Sequence, residues 1–174
     1  IAQRTWTRTL NDRLGVSWEE NQRQARTPAP TLPVRETLLA DRPEHLFERA
    51  ETELIAEDNP WGFKLDVPRY KYNRGELYNL SITRGTLTSE ERYIINHHMV
   101  QTILMLSQLP FPEHLGNVAE IAGGHHEKMD GTGYPKRLKR EQMSLPARMM
   151  AIADIFEALT AADRPYKKAK TLSE

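Results

Sequence analysis

The stretch of sequence that decides the fold and its chemistry is His125-His126-Glu127-Lys128-Met129-Asp130-Gly131-Thr132-Gly133-Tyr134-Pro135. Its two adjacent imidazoles lie within one turn of chain, and each can offer a nitrogen to a divalent metal of borderline softness. The loop that follows is fixed by glycines and a proline and carries one aromatic residue. The alternative interpretation is a polar helix end followed by an ordinary turn, so the rest of the chain has to decide.

Three helices are predicted around this stretch. The first starts at the capping motif Thr88-Ser89-Glu90-Glu91 and runs towards Pro110, where the missing N–H ends it. The second covers about residues 115–126, and the third starts near Pro146 and ends before Pro165. Gly123 and Gly124 cost the second helix about 1 kcal/mol each relative to alanine, which predicts a close backbone approach there.

Each predicted helix carries a metal-ligating residue type on an apolar face. The face-sharing residues are Ile94, Ile95, Thr102 and Met105 for His98; Val118, Ile121 and Ala122 for His125; and Ala147, Met150, Ala151 and Ala158 for Asp154. A carboxylate that faces a core is costly unless a cation or donors meet it. A salt bridge from Asp154 to Arg148 or Arg164 would meet that need. Three histidines and an inward aspartate on three helices nevertheless favour a metal centre.

Groups suited to a phosphate ester lie near these residues in the sequence. Arg164 and Lys167 follow the third helix, where a guanidinium and an ammonium could hold phosphate oxygens. Tyr134 could stack on a base or a sugar. The ordinary alternatives are two solvated charges at a helix end and an aromatic residue in a turn.

The composition excludes several classes of function. The 174 residues contain 24 basic and 24 acidic side chains, so no net positive charge favours a nucleic-acid polymer as the partner. Because there is no cysteine, disulfides and thiolate metal sites are excluded, and His, Asp and Glu are the strong ligands that remain. No apolar stretch is long enough to span a membrane and no signal peptide is recognisable, so we expect a cytoplasmic protein without membrane contact.

The N-terminal part of the chain shows no comparable constellation. Residues 1–26 are predicted to be helical, residues 27–43 to be extended because of their prolines, residues 44–57 to form a short helix, and residues 61–73 a short strand or hairpin. We therefore expect an N-terminal segment over residues 1–74, an insertion or appendage, and a second domain over residues 75–174. The non-methionine start and the capping box at Thr171 and Glu174 lead us to expect an excerpt from a longer protein.

Taken together, these motifs resemble the HD-GYP family, the subgroup of HD metal-dependent phosphohydrolases that hydrolyses cyclic di-GMP. The family pattern is His-His-Glu, two residues, Asp-Gly, one residue, Gly-Tyr-Pro, and residues 125–135 match it without a gap. The downstream aspartate, Ala-Leu-Thr and Arg-Pro-Tyr are present at Asp154, 158–160 and 164–166, and the upstream helix start and histidine at 87–91 and His98. The resemblance covers residues 75–174.

The resemblance implies a fold, a site and a reaction. The fold would be all-α: a partial HD-domain-like helical bundle, with a mostly helical and loop-rich N-terminal segment. The implied metal ligands are His98, His125, His126 and Asp154, with His126 and Asp154 as the catalytic residues; the implied substrate contacts are Gly133, Tyr134, Arg164 and Lys167. Two or three iron or manganese ions would assist in-line attack on a phosphodiester of cyclic di-GMP, giving the linear dinucleotide or GMP. An upstream sensory or regulatory domain and a possible homodimer are the further partners implied for such a signalling enzyme.

One departure from the family pattern is serious: no histidine in this chain is followed by aspartate. The family places that dyad before the Leu-Thr helix start, where its aspartate would bridge two metals. Either the dyad lies upstream of Ile1, or the protein is a degenerate member that binds a cyclic dinucleotide or a partner without turnover. The four ligand positions that are present favour the first explanation. A different nucleotide phosphohydrolase and a purely structural helical domain fit the Gly-Tyr-Pro loop and the inward histidines less well.

Overall fold

The computed structural model describes residues 4–83, 85–162 and 170–171. These residues belong to two compact units. The first unit contains the residues up to Leu54 and the stretch Pro68–Arg92, and the second contains Ile55–Val67 and the residues from Tyr93 onward. The domain division predicted at residue 75 refers to domains that fold independently. Contacts within one chain do not test independent folding, so this division stays a prediction.

The first unit is built on two small antiparallel sheets. Strand β1 (Thr5–Arg8) pairs with β2 (Val34–Thr37), and β3 (Leu46–Glu48) pairs with β4 (Tyr70–Asn73). Two short helices, α1 (Trp18–Gln24) and α2 (Glu76–Leu80), and two turns of 3-10 helix at Pro43–His45 and Glu51–Glu53 accompany the sheets. The expectation of a mostly helical N-terminal segment is therefore wrong.

The helices predicted over residues 1–26 and 44–57 do not form over those ranges, because cross-strand contacts favour an extended chain. The β1 sequence Thr-Trp-Thr-Arg has high strand propensity, and Arg8 Nε lies 2.8 Å from Glu36 Oε1 across the sheet. Phe47 of β3 packs edge to face on Tyr72 of β4, with ring centroids 5.7 Å apart. Of the first predicted helix only α1 is present, and Ser17 caps it by accepting the Glu20 N–H.

The helices that position the predicted ligands lie in the second unit, apart from the first turn of α3, which belongs to the first. They are α3 (Ser89–Ser107), α4 (Val118–Gly123) and α5 (Leu145–Thr160), with turns of 3-10 helix at Glu113–Leu115 and Arg140–Gln142. The capping box predicted for α3 is confirmed: Glu91 N donates to Thr88 Oγ1 at 3.2 Å, and Thr88 N donates to Glu91 Oε2 at 2.9 Å. The all-α expectation thus holds for this unit in coarse form.

The glycine pair at the end of α4 allows two helices to approach it. A Cβ on Gly123 would lie 2.7 Å from Ile103 Cγ1 of α3, and a Cβ on Gly124 would lie 2.9 Å from Ala147 Cβ of α5. The predicted close approach is therefore confirmed. The predicted helix is shorter than expected, because it ends at Gly123. His125 and His126 consequently lie in the turn after α4 rather than on it.

The core of the second unit uses one face of α3 and the small residues of α5. Its buried members include Phe63, Met99, Val100, Ile103, Met143, Ala147 and Ala151. The apolar face that carries His98 was expected to point inward, and this expectation is wrong: Ile94, Ile95 and Met105 are 43%, 50% and 61% exposed. Among the described residues, no helix combines the length and the apolar character needed to cross a bilayer.

Candidate metal centre

Three histidines converge at the end of α4. One nitrogen each of His98, His125 and His126 lies within 4.8 Å of the other two. The ring centroids of His125 and His126 are 4.2 Å apart, and that of His98 is 5.3 Å from the His126 centroid. His98 comes from α3 and the other two from the turn after α4, so the close approach at Gly123 brings together residues that are distant in sequence.

The histidine side chains are oriented by backbone carbonyls. His125 Nδ1 lies 2.7 Å from the Ala122 carbonyl oxygen, and His98 Nδ1 bonds the Ile95 carbonyl oxygen. A carbonyl oxygen only accepts, so Nδ1 is the donor in both contacts, and Nε2 is the nitrogen left to face a metal. Metal-binding histidines characteristically donate their other N–H to such an oxygen. The donor set therefore fits a divalent metal of borderline softness.

His126 is held in its neutral form. Partial burial is the largest cause that lowers the pKa of its imidazole below the ordinary value, and neighbouring His125 and His98 add to the effect. Asp154 opposes this by favouring the protonated ring. Because the net shift is downward, the His126 ring stays unprotonated near neutral pH, which is the form that can ligate a metal.

Asp154 lies beside His126. Its Oδ2 is 3.5 Å from His126 Nδ1, and it projects from the face of α5 that carries the buried Ala147 and Ala151. Because the His126 ring is neutral, this contact is not an ion pair, and among the described residues no salt bridge joins Asp154 to Arg148. The salt bridge considered as an alternative to a metal role is thus not made with Arg148, and Arg164 lies outside the described residues.

Tyr134 covers one side of the histidine cluster. Its ring stacks on His126, with centroids 4.9 Å apart and an interplanar angle of 28°, and its backbone N–H donates to the His126 carbonyl at 3.2 Å. Burial and the nearby Asp154 carboxylate raise the pKa of the Tyr134 hydroxyl, so it stays protonated at neutral pH. A hydroxyl in this state can donate a hydrogen bond beside the cluster.

Gly133 is a packing requirement of the loop that carries Tyr134, hereafter the tyrosine loop (residues 131–138). A Cβ at Gly133 would lie 2.3 Å from Lys128 N and 2.4 Å from Glu127 Cα. No side chain fits at such distances, so only glycine lets the loop fold back against residues 127–128. The predicted contact of Gly133 with substrate stays a prediction.

Glu127 is a structural member of the site that the sequence analysis did not single out. Its carboxylate is buried, with 3% of the residue exposed, and accepts the Lys136 N–H at 2.6 Å and the Leu138 N–H at 2.8 Å. A charged acceptor with two backbone donors is a strong pairing. The sequence signal for this role is the position of the acid, between the metal-ligating histidines and a glycine-rich loop. Such a loop has backbone N–H groups that need an acceptor.

The start of the tyrosine loop is set by Asp130. Its Oδ1 accepts the Thr132 N–H at 2.9 Å and the Thr132 hydroxyl at 2.7 Å, and these bonds lower the pKa of the Asp130 carboxyl. Gly131 has φ of 80°, a left-handed conformation that favours glycine. The Asp-Gly pair of the motif therefore makes the turn that returns the chain towards His126.

The two remaining predicted substrate contacts, Arg164 and Lys167, lie outside the described residues. The structure thus brings together His98, His125, His126, Asp154 and Tyr134 within one unit, whereas it leaves the phosphate-binding role of the two cations as a prediction.

The sequence of this chain is similar to the sequences of known proteins. The HD domain family profile matches residues 33–174. The chain is 42% identical over 90 residues to the 3'3'-cGAMP-specific phosphodiesterase 1 of Vibrio cholerae, covering 52% of this chain and 20% of that protein. It is 42% identical over 91 residues to the cyclic di-GMP phosphodiesterase of Thermotoga maritima, covering 52% of this chain and 24% of that protein.

A longer alignment is found with the 3'3'-cGAMP-specific phosphodiesterase 2 of Vibrio cholerae, at 35% identity over 136 residues, or 76% of this chain and 24% of that protein. The chain therefore spans a fifth to a quarter of the length of these relatives. The family match and the names of the relatives confirm the resemblance that was drawn from the motifs around residues 125–135.

Proposed function

The chain belongs to the HD domain family, and from that premise we propose that it is part of a metal-dependent phosphodiesterase acting on cyclic di-GMP in bacterial signalling. The observation that carries the proposal is the histidine cluster with Tyr134 stacked against it. Imidazoles oriented by backbone carbonyls suit a divalent metal, and an aromatic ring at the edge of the cluster suits a nucleobase.

In this proposal His98, His125, His126 and Asp154 hold the metal. HD domains bind divalent metals, and iron or manganese, two or three ions in a complete site, is the choice we propose for this chain. Such ions supply Lewis-acid activation of a phosphodiester and stabilise charge that develops on its oxygens. His126 and Asp154 are the catalytic residues, because they adjoin each other and lie next to Tyr134 at the centre of the cluster.

The remaining residues bind the nucleotide in this proposal. The Tyr134 ring stacks on a base, and its protonated hydroxyl donates to a ligand oxygen. Arg164 and Lys167 hold phosphate oxygens, and Gly133 keeps the tyrosine loop folded so that Tyr134 stays beside His126. A 3',3'-linked cyclic dinucleotide presents two phosphodiesters and two bases, which is the chemistry that this set of groups recognises.

A second candidate function is binding without turnover. It is favoured by one observation: none of the six histidines in the 174 residues is followed by aspartate. We therefore expect the 174 residues alone to bind a cyclic dinucleotide and metal incompletely and to hydrolyse the ligand slowly. An upstream regulatory domain, a homodimer and a cytoplasmic location stay predictions.

The test compares metal content and hydrolysis of cyclic di-GMP and 3'3'-cGAMP by the full-length protein and by the 174 residues. We expect iron or manganese near two per full-length chain and loss of turnover in His126→Ala and Asp154→Ala. The matched control is His114→Ala, because His114 is exposed on a separate turn. Normal rates in either site variant would refute the ligand assignment. Absence of metal from the full-length protein would favour binding without turnover.

A further inference from the structure

The segment Asn59–Asp66, hereafter the brace, lies about 70 residues before the tyrosine loop in the sequence but packs against it within the second unit. We propose that the brace positions the tyrosine loop and thereby sets the affinity for the nucleotide. This inference rests on the proposed function, since it assigns a positioning role for the same site. It concerns residues that showed no chemical constellation in the sequence.

The brace bonds the loop directly at two points. Lys64 N–H donates to the Pro135 carbonyl oxygen at 2.7 Å, immediately after Tyr134 in the chain. The Arg137 guanidinium lies 2.6 Å from the Asp66 carboxylate, which is an exposed pair and contributes little energy by itself. The backbone bond is the more informative of the two contacts, because it fixes the main chain next to the stacking residue.

Phe63 connects the loop with the helix that carries His98. Its side chain is buried and packs in one cluster with Val100 and Ile103 of α3. The Lys136 ammonium lies 5.9 Å from the centroid of the Phe63 ring, within the range of a cation–π contact, and the Trp61 ring stacks on Phe63 with centroids 6.3 Å apart. A single ring thus contacts both elements of the histidine site.

The shape of the brace is held by one side chain, Asn59. Its Nδ2 donates to the Ala56 carbonyl at 2.8 Å and to the Phe63 carbonyl at 3.0 Å, and its Oδ1 accepts the Phe63 N–H at 2.9 Å. These three bonds close the brace into a loop and pin the backbone of the core residue Phe63. Asn59 is therefore the position at which the brace can be loosened without touching the tyrosine loop itself.

Two sets of hydrogen bonds hold the tyrosine loop. Glu127 binds the N–H groups of Lys136 and Leu138, and the brace binds the carbonyl of Pro135. A loop that is ordered before the ligand arrives loses less conformational entropy on binding. Loosening the brace is therefore expected to weaken nucleotide binding while leaving the metal-binding histidines, which the turn after α4 and α3 supply, unchanged.

The experiment measures cyclic di-GMP binding by calorimetry and metal content on the full-length protein. The nuclear Overhauser effect between the Tyr134 and His126 rings is measured on the same protein stripped of metal, because bound iron or manganese would broaden these ring signals. For Asn59→Ala we expect about tenfold weaker binding, a weaker ring–ring effect and unchanged metal content. Asn59→Asp keeps the acceptor for the Phe63 N–H but turns a carboxylate oxygen towards the Ala56 and Phe63 carbonyls, so a loss at least as large as that of Asn59→Ala is expected. The matched control is Asn117→Ala, because Asn117 is exposed and makes no capping bond through its side chain.

Equal affinity and an unchanged ring–ring effect in Asn59→Ala would overturn the proposal, and so would loss of metal in parallel with affinity, which indicates general disruption. If the unaltered protein binds no cyclic dinucleotide, the proposed function fails, but the ring–ring effect still decides the positioning role. If Asn59→Ala does not fold, Phe63→Leu provides the same test. Leucine keeps an apolar side chain in the core and removes the ring that contacts Lys136.

Discussion

Replacing Glu127 by glutamine tests how the tyrosine loop is held. The carboxylate accepts backbone N–H groups from Lys136 and Leu138, at 2.6 and 2.8 Å, and 3% of the residue is exposed. Glutamine has the same shape but one acceptor and one donor. Its NH₂ group must therefore face one of the two N–H groups, which loses its partner inside the protein.

The magnitude follows from these contacts. One buried N–H without a partner costs about 1–3 kcal/mol, and the remaining bond loses the charge that strengthens it, by about 1 kcal/mol. Glu127→Gln should therefore destabilise the second unit by about 2–4 kcal/mol. The loss should appear as faster hydrogen exchange at Lys136 and Leu138, together with a lower urea midpoint for this unit.

The assay is amide hydrogen exchange by NMR, which resolves the loop amides even if the two units unfold separately. The matched control is Glu120→Gln: the Glu120 carboxylate also binds two donors, Ser144 N–H at 3.4 Å and the Ser144 hydroxyl at 2.9 Å, but it is exposed. Water can replace a lost partner there, so the cost should stay below about 1 kcal/mol. If Glu127→Gln is no more destabilising than Glu120→Gln, burial of the carboxylate does not hold the loop.

Two further predictions concern the helix contact and the histidine charge. Gly123→Ala should destabilise the second unit by about 1–3 kcal/mol in urea unfolding, because its Cβ would lie 2.7 Å from Ile103 Cγ1. The control Gly116→Ala should cost less, because the nearest atom there would lie 3.3 Å away. Equal losses of stability in the two variants would contradict the packing argument. In the metal-free protein the His126 pKa should lie below its ordinary value in an NMR titration, and Asp154→Asn should lower it further, since Asp154 favours the protonated ring. The folded state then binds fewer protons than the unfolded state, so the contribution of His126 to stability is present above the ordinary histidine pKa of about 6.5 and is lost as the pH falls; a His126 pKa that rises in Asp154→Asn would contradict the electrostatic assignment.

The parts of the molecule that were predictable from the sequence are those with local signals. The capping box of Thr88 and Glu91 starts α3 at its predicted position, and the glycine pair allows the predicted close approach. The contiguous motif of residues 125–135 led to the family, because a pattern of that length depends on neighbours along the chain. In each of these cases the physical cause lies within a few residues of the signal.

The parts that were not predictable depend on contacts between distant residues. Strand β1 is stabilised by the ion pair between Arg8 and Glu36, and no pattern in the neighbouring sequence predicts Glu36 as the partner. The buried face of α3 was misassigned because apolar residues lie on more than one of its faces, so periodicity alone does not choose between them. The brace was also missed, since Asn59 and Phe63 acquire their role only through the fold.

Helix α5 shows why hydrophobic pattern alone misleads at this site. Its large residues Leu145, Met149, Ile152 and Phe156 are all more than half exposed, while the buried positions are Ala147 and Ala151. Burial of apolar area would favour the opposite orientation. The small face is turned inward because Gly124 brings the backbone after α4 so close to Ala147 that only small side chains fit.

The residues of the histidine site therefore come together because three glycines carry no side chain. Gly123 admits α3 and with it His98, Gly124 admits α5 and with it Asp154, and Gly133 lets the loop return so that Tyr134 reaches His126. A single methyl group at any of these glycines would prevent the close approach, since the added Cβ would lie 2.3–2.9 Å from its nearest neighbour. The ligating residues supply the chemistry, but the distances between them are set by these glycines. A substitution there should consequently disturb metal binding without altering any ligand.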